Sequence, residues 1–227
     1  MISLSIIIPI YNEEEIIKKN FNIINNFFKN SKFNYEIIII ESGSTDKSKT
    51  ICQDLVVNPN VKLFIQNKRE GWGSALKVGY SKATKKFTTF ISIDLPFDLS
   101  IYNIAFEKIN YFDFVLSYRN KDERTIFRRF LSKSYNLLVN NVFNMKFRSI
   151  NSTLKIMNTN LIRNFIFYDN GWFHDAEILL NIKRKSIKYI EIPVPVLDRK
   201  AGISKVKIYD PIILFYKVFI YKITDKI

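Results

Sequence analysis

Polar residues follow several of the strand-like apolar runs in this sequence, and their types are those that bind nucleotides and divalent cations. They are Tyr11, Asn12 and Glu13 after the first run, Glu41, Ser42 and Gly43 after the second, and Ser92 and Asp94 after the fourth. An acid at a strand end, followed by a glycine turn, can hold a ribose or a base edge while backbone N–H groups face phosphate. A single carboxylate such as Asp94 suits Mg²⁺ or Mn²⁺, which bind few protein ligands together with substrate phosphates. Each group alone is also typical of an ordinary turn or helix start, so the prediction depends on their recurrence.

A basic loop with two glycines, residues 68–75, follows the third strand-like run. It lacks the three spaced glycines of a dinucleotide-binding loop and the Gly-Lys-Ser/Thr of a Walker loop. Gly71 and Gly73 would instead allow the backbone to approach a ligand or a neighbouring strand closely.

The elements that must position these residues alternate along the first half of the chain. Predicted strands cover 4–9, 36–40, 61–66 and 87–93, and predicted helices cover 16–28, 47–55 and 74–83. Continuous Ile, Val and Phe runs separated by helices predict an α/β fold with a mainly parallel sheet covered by helices on both faces. Such sheets bind ligands at the carboxyl ends of their strands. The second half is less regular. Helices are predicted over 130–143 and 171–183, and a short strand over 189–196.

The composition restricts the chemistry that the site can use. Of the 227 residues, only Cys52 is a cysteine and only His174 is a histidine. This excludes an internal disulfide and any site built on two histidines. The formal net charge of +14 favours an anionic partner, such as a phosphate-bearing substrate or an anionic membrane surface. No zinc-finger, recognition-helix or RNA-binding aromatic motif accompanies this charge, so we expect no nucleic-acid partner.

Taken together, the motifs resemble those of family 2 glycosyltransferases, and in particular the polyprenyl (dolichyl) phosphate mannosyl- and glucosyltransferases. The resemblance lies in Pro9, Tyr11, Asn12 and Glu13; Glu41, Ser42, Gly43, Ser44 and Asp46; Gly71, Gly73 and Ala75; Ser92, Ile93 and Asp94; Ser117, Arg119 and Arg128; and Pro193, Arg199, Gly202, Ser204 and Lys205. It covers residues 1–206, which we interpret as one glycosyltransferase domain, and leaves a tail of residues 207–227.

The resemblance implies a GT-A type nucleotide-sugar-binding fold and an inverting transfer from a GDP- or UDP-linked sugar to a polyprenyl phosphate. It also implies Mg²⁺ or Mn²⁺ as cofactor, with Asp94 as the metal ligand. The residues implied in donor binding are Pro9, Tyr11, Asn12, Glu13, Glu41, Ser42, Gly43, Gly71, Gly73, Ser92, Asp94 and Arg119. Those implied at the acceptor phosphate are Arg128, Arg199, Ser204 and Lys205, and the catalytic residues are Asp94, Arg128 and Arg199.

The acceptor stays open between two chemical classes. A lipid monophosphate is largely a dianion at pH 7, because its second pKa is about 6, and it needs no base. A saccharide hydroxyl, as in surface glycan synthesis, would need a general base. Asp175 is the candidate for that catalytic role, because hydroxyl-acceptor relatives place an acid near this position.

Two departures from the family pattern bear on activity. Glu41 and Ser42 stand where the family has two aspartates, and Ser92 stands where the metal motif has its first acid. Losing a carboxylate weakens a metal site, so a catalytically weakened nucleotide-sugar binder is a further alternative. Asp98 could compensate only through a bent loop.

The tail is expected to be amphipathic. Residues 211–223 combine aromatic side chains with Lys217 and Lys222, as an interfacial helix does, and a last helix packed on the core is the alternative. No basic residue precedes the N-terminal apolar run, and no segment reaches the roughly 20 apolar residues of a spanning helix. We therefore expect a cytoplasmic protein held peripherally at the cytoplasmic face of a membrane, directly or through a membrane partner protein.

Overall fold

The structure, a computed structural model, describes residues 2–122, 125–196 and 210–224. The strands within these residues are β1 (Ser3–Ile10), β2 (Asn34–Glu41), β3 (Val61–Ile65), β4 (Phe87–Phe90), β5 (Phe114–Asp122), β6 (Lys155–Asn158) and β7 (Tyr189–Val196). The helices are α1 (Ile17–Lys29), α2 (Ser48–Leu55), α3 (Trp72–Lys82), α4 (Ile101–Ile109), α5 (Ile126–Val142), α6 (Thr159–Arg163), α7 (His174–Arg184) and α8 (Asp210–Ile223).

The seven strands form one sheet in the order β3-β2-β1-β4-β6-β5-β7. β1 pairs in parallel with β2 and β4, β2 with β3, and β5 with β7. Among the described strands, β6 alone runs antiparallel to its neighbours, β4 and β5. All strands except β6 therefore end at one edge of the sheet, where β6 begins. We call this the carboxyl edge, and it comprises the last residues of β1, β2, β4 and β5, the loops that follow β1, β2 and β4, and Lys155.

Helices cover both faces of the sheet, which confirms the α/β class predicted from the sequence. Successive side chains of a strand point to opposite faces. On β1, Ile6 and Ile8 enter the core beneath α1 and α4, whereas Ile7 enters the core beneath α3, α5, α7 and α8. Each fully buried isoleucine contributes about 1.5–3 kcal/mol to the free energy of unfolding. The continuous isoleucine runs of β1 and β2 therefore stabilise both layers at once.

The fourth strand is shorter than the sequence predicts. The expected strand over 87–93 ends at Phe90. The Ile91 N–H still donates to the Ile7 carbonyl, but the Leu95 N–H then donates to the Ser92 carbonyl, and Leu95 adopts a φ of 48°. This turn takes Ser92 out of the strand and into a loop at the carboxyl edge.

Beyond residue 93, the sequence prediction misses α4, β5, β6 and α6 and misplaces two helix starts. α5 begins at Ile126 rather than at residue 130, because the Thr125 hydroxyl accepts the Arg128 N–H and caps the helix. α7 begins at His174 rather than at residue 171. β6 has only four residues, too few to show a period, and both of its partners lie far away in sequence.

Candidate active site

The loops that follow β1 and β2 are tied to each other. The Asn12 N–H donates to Ser44 Oγ at 3.0 Å, and Asn12 Oδ1 accepts the Thr45 N–H at 2.8 Å. The Glu13 N–H donates to Ser48 Oγ at 2.9 Å. Asn12 therefore does not cap α1, as a simple helix start would require, and instead fixes the turn after β2.

Glu41 ends β2 with a fully buried carboxylate. Its Oε1 accepts the Ser44 N–H at 2.6 Å, whereas its Oε2 is buried and has no hydrogen-bond partner among the described residues. An unsatisfied buried acceptor costs about 1–3 kcal/mol. The carboxylate is therefore fixed in orientation by one oxygen, and none of the described residues supplies a donor to the other.

The basic loop docks against this turn. Gly43 has a φ of +68°, and a Cβ built on it would lie 2.7 Å from the Lys68 backbone. The Arg69 guanidinium lies 4.4 Å from the centre of the Tyr11 ring, within the range of a cation–π interaction. Lysine and arginine therefore stand beside the Glu41 turn.

Gly71 and Gly73 allow a close approach to another loop of the protein. A Cβ on Gly71 would lie 2.3 Å from the Asn170 carbonyl oxygen, and one on Gly73 would lie 2.8 Å from the His174 Cβ. Gly71 also has a φ of +110°, which side chains rarely adopt. These glycines thus allow the segment before α7 to pack on the start of α3.

The loop after β4 carries Ser92 and Asp94. The Asn20 side chain donates to the Ile93 carbonyl at 2.8 Å and so ties the loop to α1. Asp98 cannot serve as a second acid of the motif without giving up another role, because its Oδ1 accepts the Ser100 N–H at the start of α4. Within residues 2–122, 125–196 and 210–224, no group of three or more acidic, histidine or cysteine side chains could hold a metal ion by itself. The single carboxylate of Asp94 fits only an ion that shares its ligands with substrate phosphates.

The structure describes two of the three arginines singled out from the sequence. Arg119 lies on β5, and its guanidinium donates to Ser132 Oγ at 3.3 Å and to the Asn151 carbonyl at 3.2 Å. Arg128 lies in the first turn of α5 and is exposed. Arg199, Ser204 and Lys205, as well as the boundary expected between residues 206 and 207, lie outside the described residues.

Asp175 lies in the first turn of α7, where it is 7% exposed. Its Oδ1 accepts a hydrogen bond from Lys155 Nζ at 2.6 Å, and Lys155 is fully buried. Sequence reasoning missed Lys155 because β6 was not predicted. A lysine inside the apolar run Leu154–Met157 was the signal that could have revealed it.

Aromatic rings line the same region. Trp72 stacks on Trp172 with ring centres 5.5 Å apart and meets Phe90 edge-on at 5.6 Å. The two tryptophans join the start of α3 to the loop before α7, so the glycine contacts and the ring stack fix the same junction.

The last helix, α8, packs on the core through one face. Val218 and Tyr221 are buried, and the Tyr221 hydroxyl donates to Glu177 Oε1 at 2.8 Å. The Lys217 ammonium binds the buried Asp169, so it does not point toward lipid headgroups as a lysine of an interfacial helix would. Nowhere in the described part of the chain is a helix long and apolar enough to cross a membrane.

A mostly parallel sheet with acidic and basic loops at its carboxyl edge is compatible with a GT-A type glycosyltransferase fold. The family model described as Glycosyl transferase family 2 matches residues 5–171. The chain belongs to this family.

Curated relatives share modest identity with the chain. A dolichol-phosphate mannosyltransferase of Pyrococcus furiosus is 28% identical over 211 residues, which is 89% of this chain and 59% of that protein. A dolichyl-phosphate beta-glucosyltransferase of Trichomonas vaginalis is 25% identical over 248 residues, or 98% of this chain and 76% of that protein. The chain thus spans less than two thirds of the archaeal relative.

Solved structures confirm the fold at lower identity. Glucosyl-3-phosphoglycerate synthase from Mycobacterium tuberculosis, crystallised with Mn²⁺, UDP and phosphoglyceric acid, superposes with a TM-score of 0.72 at 14% identity. The match covers 98% of this chain and 78% of that one.

Proposed function

We propose that this protein transfers a sugar from a nucleotide diphosphate sugar to the phosphate of a polyprenyl phosphate, with inversion at the anomeric carbon. The observation that carries the proposal is the convergence at the carboxyl edge of Glu41, the loop that bears Asp94, and Arg119. The similarity to relatives named for dolichol phosphate supports this acceptor.

In this proposal Glu41 holds the nucleoside. Its unpartnered Oε2 would accept a hydrogen bond from a base N–H or a ribose O–H, and the bond from Ser44 fixes its direction. The Gly43 N–H in this turn is suited to a phosphate oxygen, whereas the Ser42 N–H donates to the Ile10 carbonyl at 2.9 Å. Asn12 contributes indirectly, because it fixes this turn.

Asp94 would hold Mg²⁺ or Mn²⁺ together with the donor diphosphate. One carboxylate is compatible with these ions, since phosphate oxygens and water complete their shell. When bound, the ion supplies positive charge that stabilises the leaving nucleoside diphosphate. Because Ser92 contributes no charge, we expect the ion to bind more weakly than at a site with two acids.

The arginines would orient the phosphates for in-line attack. Their planar guanidinium groups can bind two phosphate oxygens at once. Arg119 lies on the strand next to β6 and Arg128 at the start of α5, so we assign the first to the donor diphosphate and the second to the acceptor phosphate. Arg199, Ser204 and Lys205 would extend the acceptor site. Attack from the face opposite the diphosphate inverts the anomeric centre.

A membrane surface would present the lipid acceptor. α5 and α8 pack against each other, with the rings of Tyr135 and Phe215 6.1 Å apart. Their large exposed apolar side chains are Ile126, Phe127, Phe130, Leu137, Ile212, Ile213, Tyr216, Phe219 and Ile223. Together with the net charge of +14, these side chains suit the interface of an anionic membrane. This contact would place the protein at the membrane periphery.

The proposal is tested by incubating the protein with a panel of UDP- and GDP-sugars and a short polyprenyl phosphate. The reaction is run with Mg²⁺ or Mn²⁺ and then with EDTA. One donor should give a lipid-linked sugar, and EDTA should lower the rate. Transfer to a saccharide hydroxyl in place of the lipid would contradict the acceptor, and failure to bind any nucleotide sugar would contradict the class of site.

A further inference from the structure

A buried ion pair lies beside the candidate active site, and the roles proposed above do not use it. Lys155, the first residue of β6, donates from Nζ to Asp175 Oδ1 at 2.6 Å and to the Ser152 carbonyl at 2.9 Å. The ammonium also lies 5.3 Å from the centre of the Phe90 ring. The pair therefore joins the carboxyl edge of the sheet to the first turn of α7.

The groups around the pair of Lys155 and Asp175 come from four neighbouring elements. Lys155 of β6 binds it directly, and Arg119 of β5 is close enough to oppose the charge on the Lys155 ammonium. Burial raises the pKa values of Tyr80 in α3 and Tyr135 in α5, and the charge of Asp175 raises them further. Burial also lowers the pKa of Lys155, and Asp175 opposes this effect. The carboxylate is thus the group that favours a charged ammonium at this buried position.

The two classes of acceptor require opposite properties from Asp175. A hydroxyl acceptor needs a base that takes up its proton. If Asp175 took up that proton, the Lys155 ammonium would be left buried without a counter-charge, which is strongly unfavourable. A phosphate acceptor is already ionised at pH 7, because its second pKa is about 6. With that acceptor, Asp175 stays paired throughout the reaction.

We propose that Lys155 is a positioning residue that holds Asp175 as an ion-paired anion and thereby restricts the site to phosphate monoester acceptors. The inference rests on the proposed sugar transfer and names the acceptor class that the site selects. In the reaction, an acceptor phosphate oxygen bonds to the anomeric carbon while the bond from that carbon to the donor diphosphate breaks. The nucleoside diphosphate leaves with the bonding electrons. No proton moves in this step, so no general base is required.

The test compares a short polyprenyl phosphate with the matching polyprenol, which offers a hydroxyl in place of the phosphate. The wild type should use the phosphate alone. Lys155→Met frees the Asp175 carboxylate from its pair. The variant should therefore transfer sugar to polyprenol, and its preference for the phosphate acceptor over the hydroxyl acceptor should fall by about tenfold or more. Lys155→Met combined with Asp175→Asn removes both charges and should lose this gain. A purely structural role for Lys155 predicts equal changes for both acceptors, and that result in a folded variant would overturn the inference.

A second variant keeps the test decisive if Lys155→Met does not fold. The double variant, Lys155→Met with Asp175→Asn, leaves no buried charge unpaired. Because a phosphate acceptor gives up no proton, its kcat with polyprenyl phosphate should stay within about tenfold of the wild type, with the same pH dependence. A loss of about a hundredfold or more, at unchanged KM and nucleotide affinity, would identify Asp175 as a base and overturn the inference.

The same assay separates failure of this inference from failure of the proposed function. Wild-type transfer to polyprenyl phosphate, together with an unchanged acceptor preference in folded Lys155→Met, would overturn the role of Lys155 and leave the proposed function standing. Failure to bind any nucleotide sugar would contradict the proposed function, and the inference with it.

Discussion

At the scale of single residues, the two oxygens of the Glu41 carboxylate have different surroundings. One accepts the Ser44 N–H, and the other is buried with no partner in the part of the chain that the structure describes. A glutamine at this position would have to turn its oxygen toward the Ser44 N–H, which places an NH₂ group where the free oxygen stood. A ligand N–H or O–H would then meet a second donor.

We therefore predict that Glu41→Gln lowers the affinity for the preferred nucleoside diphosphate by about tenfold to a hundredfold, the range for a hydrogen bond to a charged group. Calorimetric titration measures this affinity. Glu15→Gln removes an exposed carboxylate and serves as the matched control, with an affinity equal to that of the wild type. Equal affinities for both variants would exclude Glu41 from the nucleoside site.

Ser92 is the second residue at which a single substitution is informative. Ser92→Asp would restore a second carboxylate to the loop that carries Asp94, and we predict that Mn²⁺ affinity in the presence of the nucleotide rises by about tenfold. Ser92→Asn has the same size without the charge and should leave the affinity unchanged. If the two variants bind Mn²⁺ equally, this loop is not the metal site.

Residue types alone predicted where most of this edge would form, because acids and glycines at successive strand ends must converge in a parallel sheet. They did not predict what each side chain contacts. Asn12 bonds to Thr45 and Asp175 bonds to Lys155 across 33 and 20 positions of sequence. Such contacts depend on the register of distant elements, which no local pattern encodes.

At the scale of elements, the packing of α3 against the segment before α7 depends on Gly71. Alanine there would hold a strained positive φ and place its Cβ 2.3 Å from the Asn170 carbonyl oxygen. We predict that Gly71→Ala lowers the free energy of unfolding by about 2 kcal/mol or more, as measured by urea denaturation. Gly171→Ala is the control, because its nearest neighbour is a side-chain oxygen at 3.3 Å and its φ is not positive. A similar loss for both variants would show that the close approach at Gly71 is not required.

β6 shows where prediction of elements from the sequence stops. The strands and helices up to β4 have clear apolar periods and were located to within a few residues, whereas α4, β5 and α6 were not predicted. β6 is four residues long and antiparallel, and it is inserted between β4 and β5, so its existence follows only from pairing. Lys155, the residue on which the acceptor inference depends, was missed for the same reason.

At the scale of the whole molecule, α8 connects the candidate site to an exposed apolar surface. One face of the helix contacts the core through Val218 and Tyr221, and the other exposes Ile212 and Phe219. Both alternatives drawn from the sequence, a helix packed on the core and an interfacial helix, are compatible with this arrangement. Packing on the core describes the face with Val218 and Tyr221. Contact with a membrane interface stays a prediction for the exposed face.

We predict that replacing Ile212 and Phe219 by serine lowers binding to anionic vesicles by about tenfold or more, since each buried apolar side chain contributes about 1.5–3 kcal/mol. Thermal stability should change little, because both side chains are exposed. Vesicle sedimentation gives the bound fraction. Ile23→Ser, on an exposed position of α1 beneath the opposite face of the sheet, is the control. Unchanged binding of the double variant would exclude α8 from the membrane contact.

The central claim, an inverting transfer to a lipid phosphate, is tested most directly by NMR of the purified product. The anomeric proton and its coupling to phosphorus report both the configuration and the atom to which the sugar is attached. The account predicts a sugar phosphodiester with the anomeric configuration opposite to that of the donor. Retained configuration, or a sugar linked to a hydroxyl oxygen without coupling to phosphorus, would contradict it.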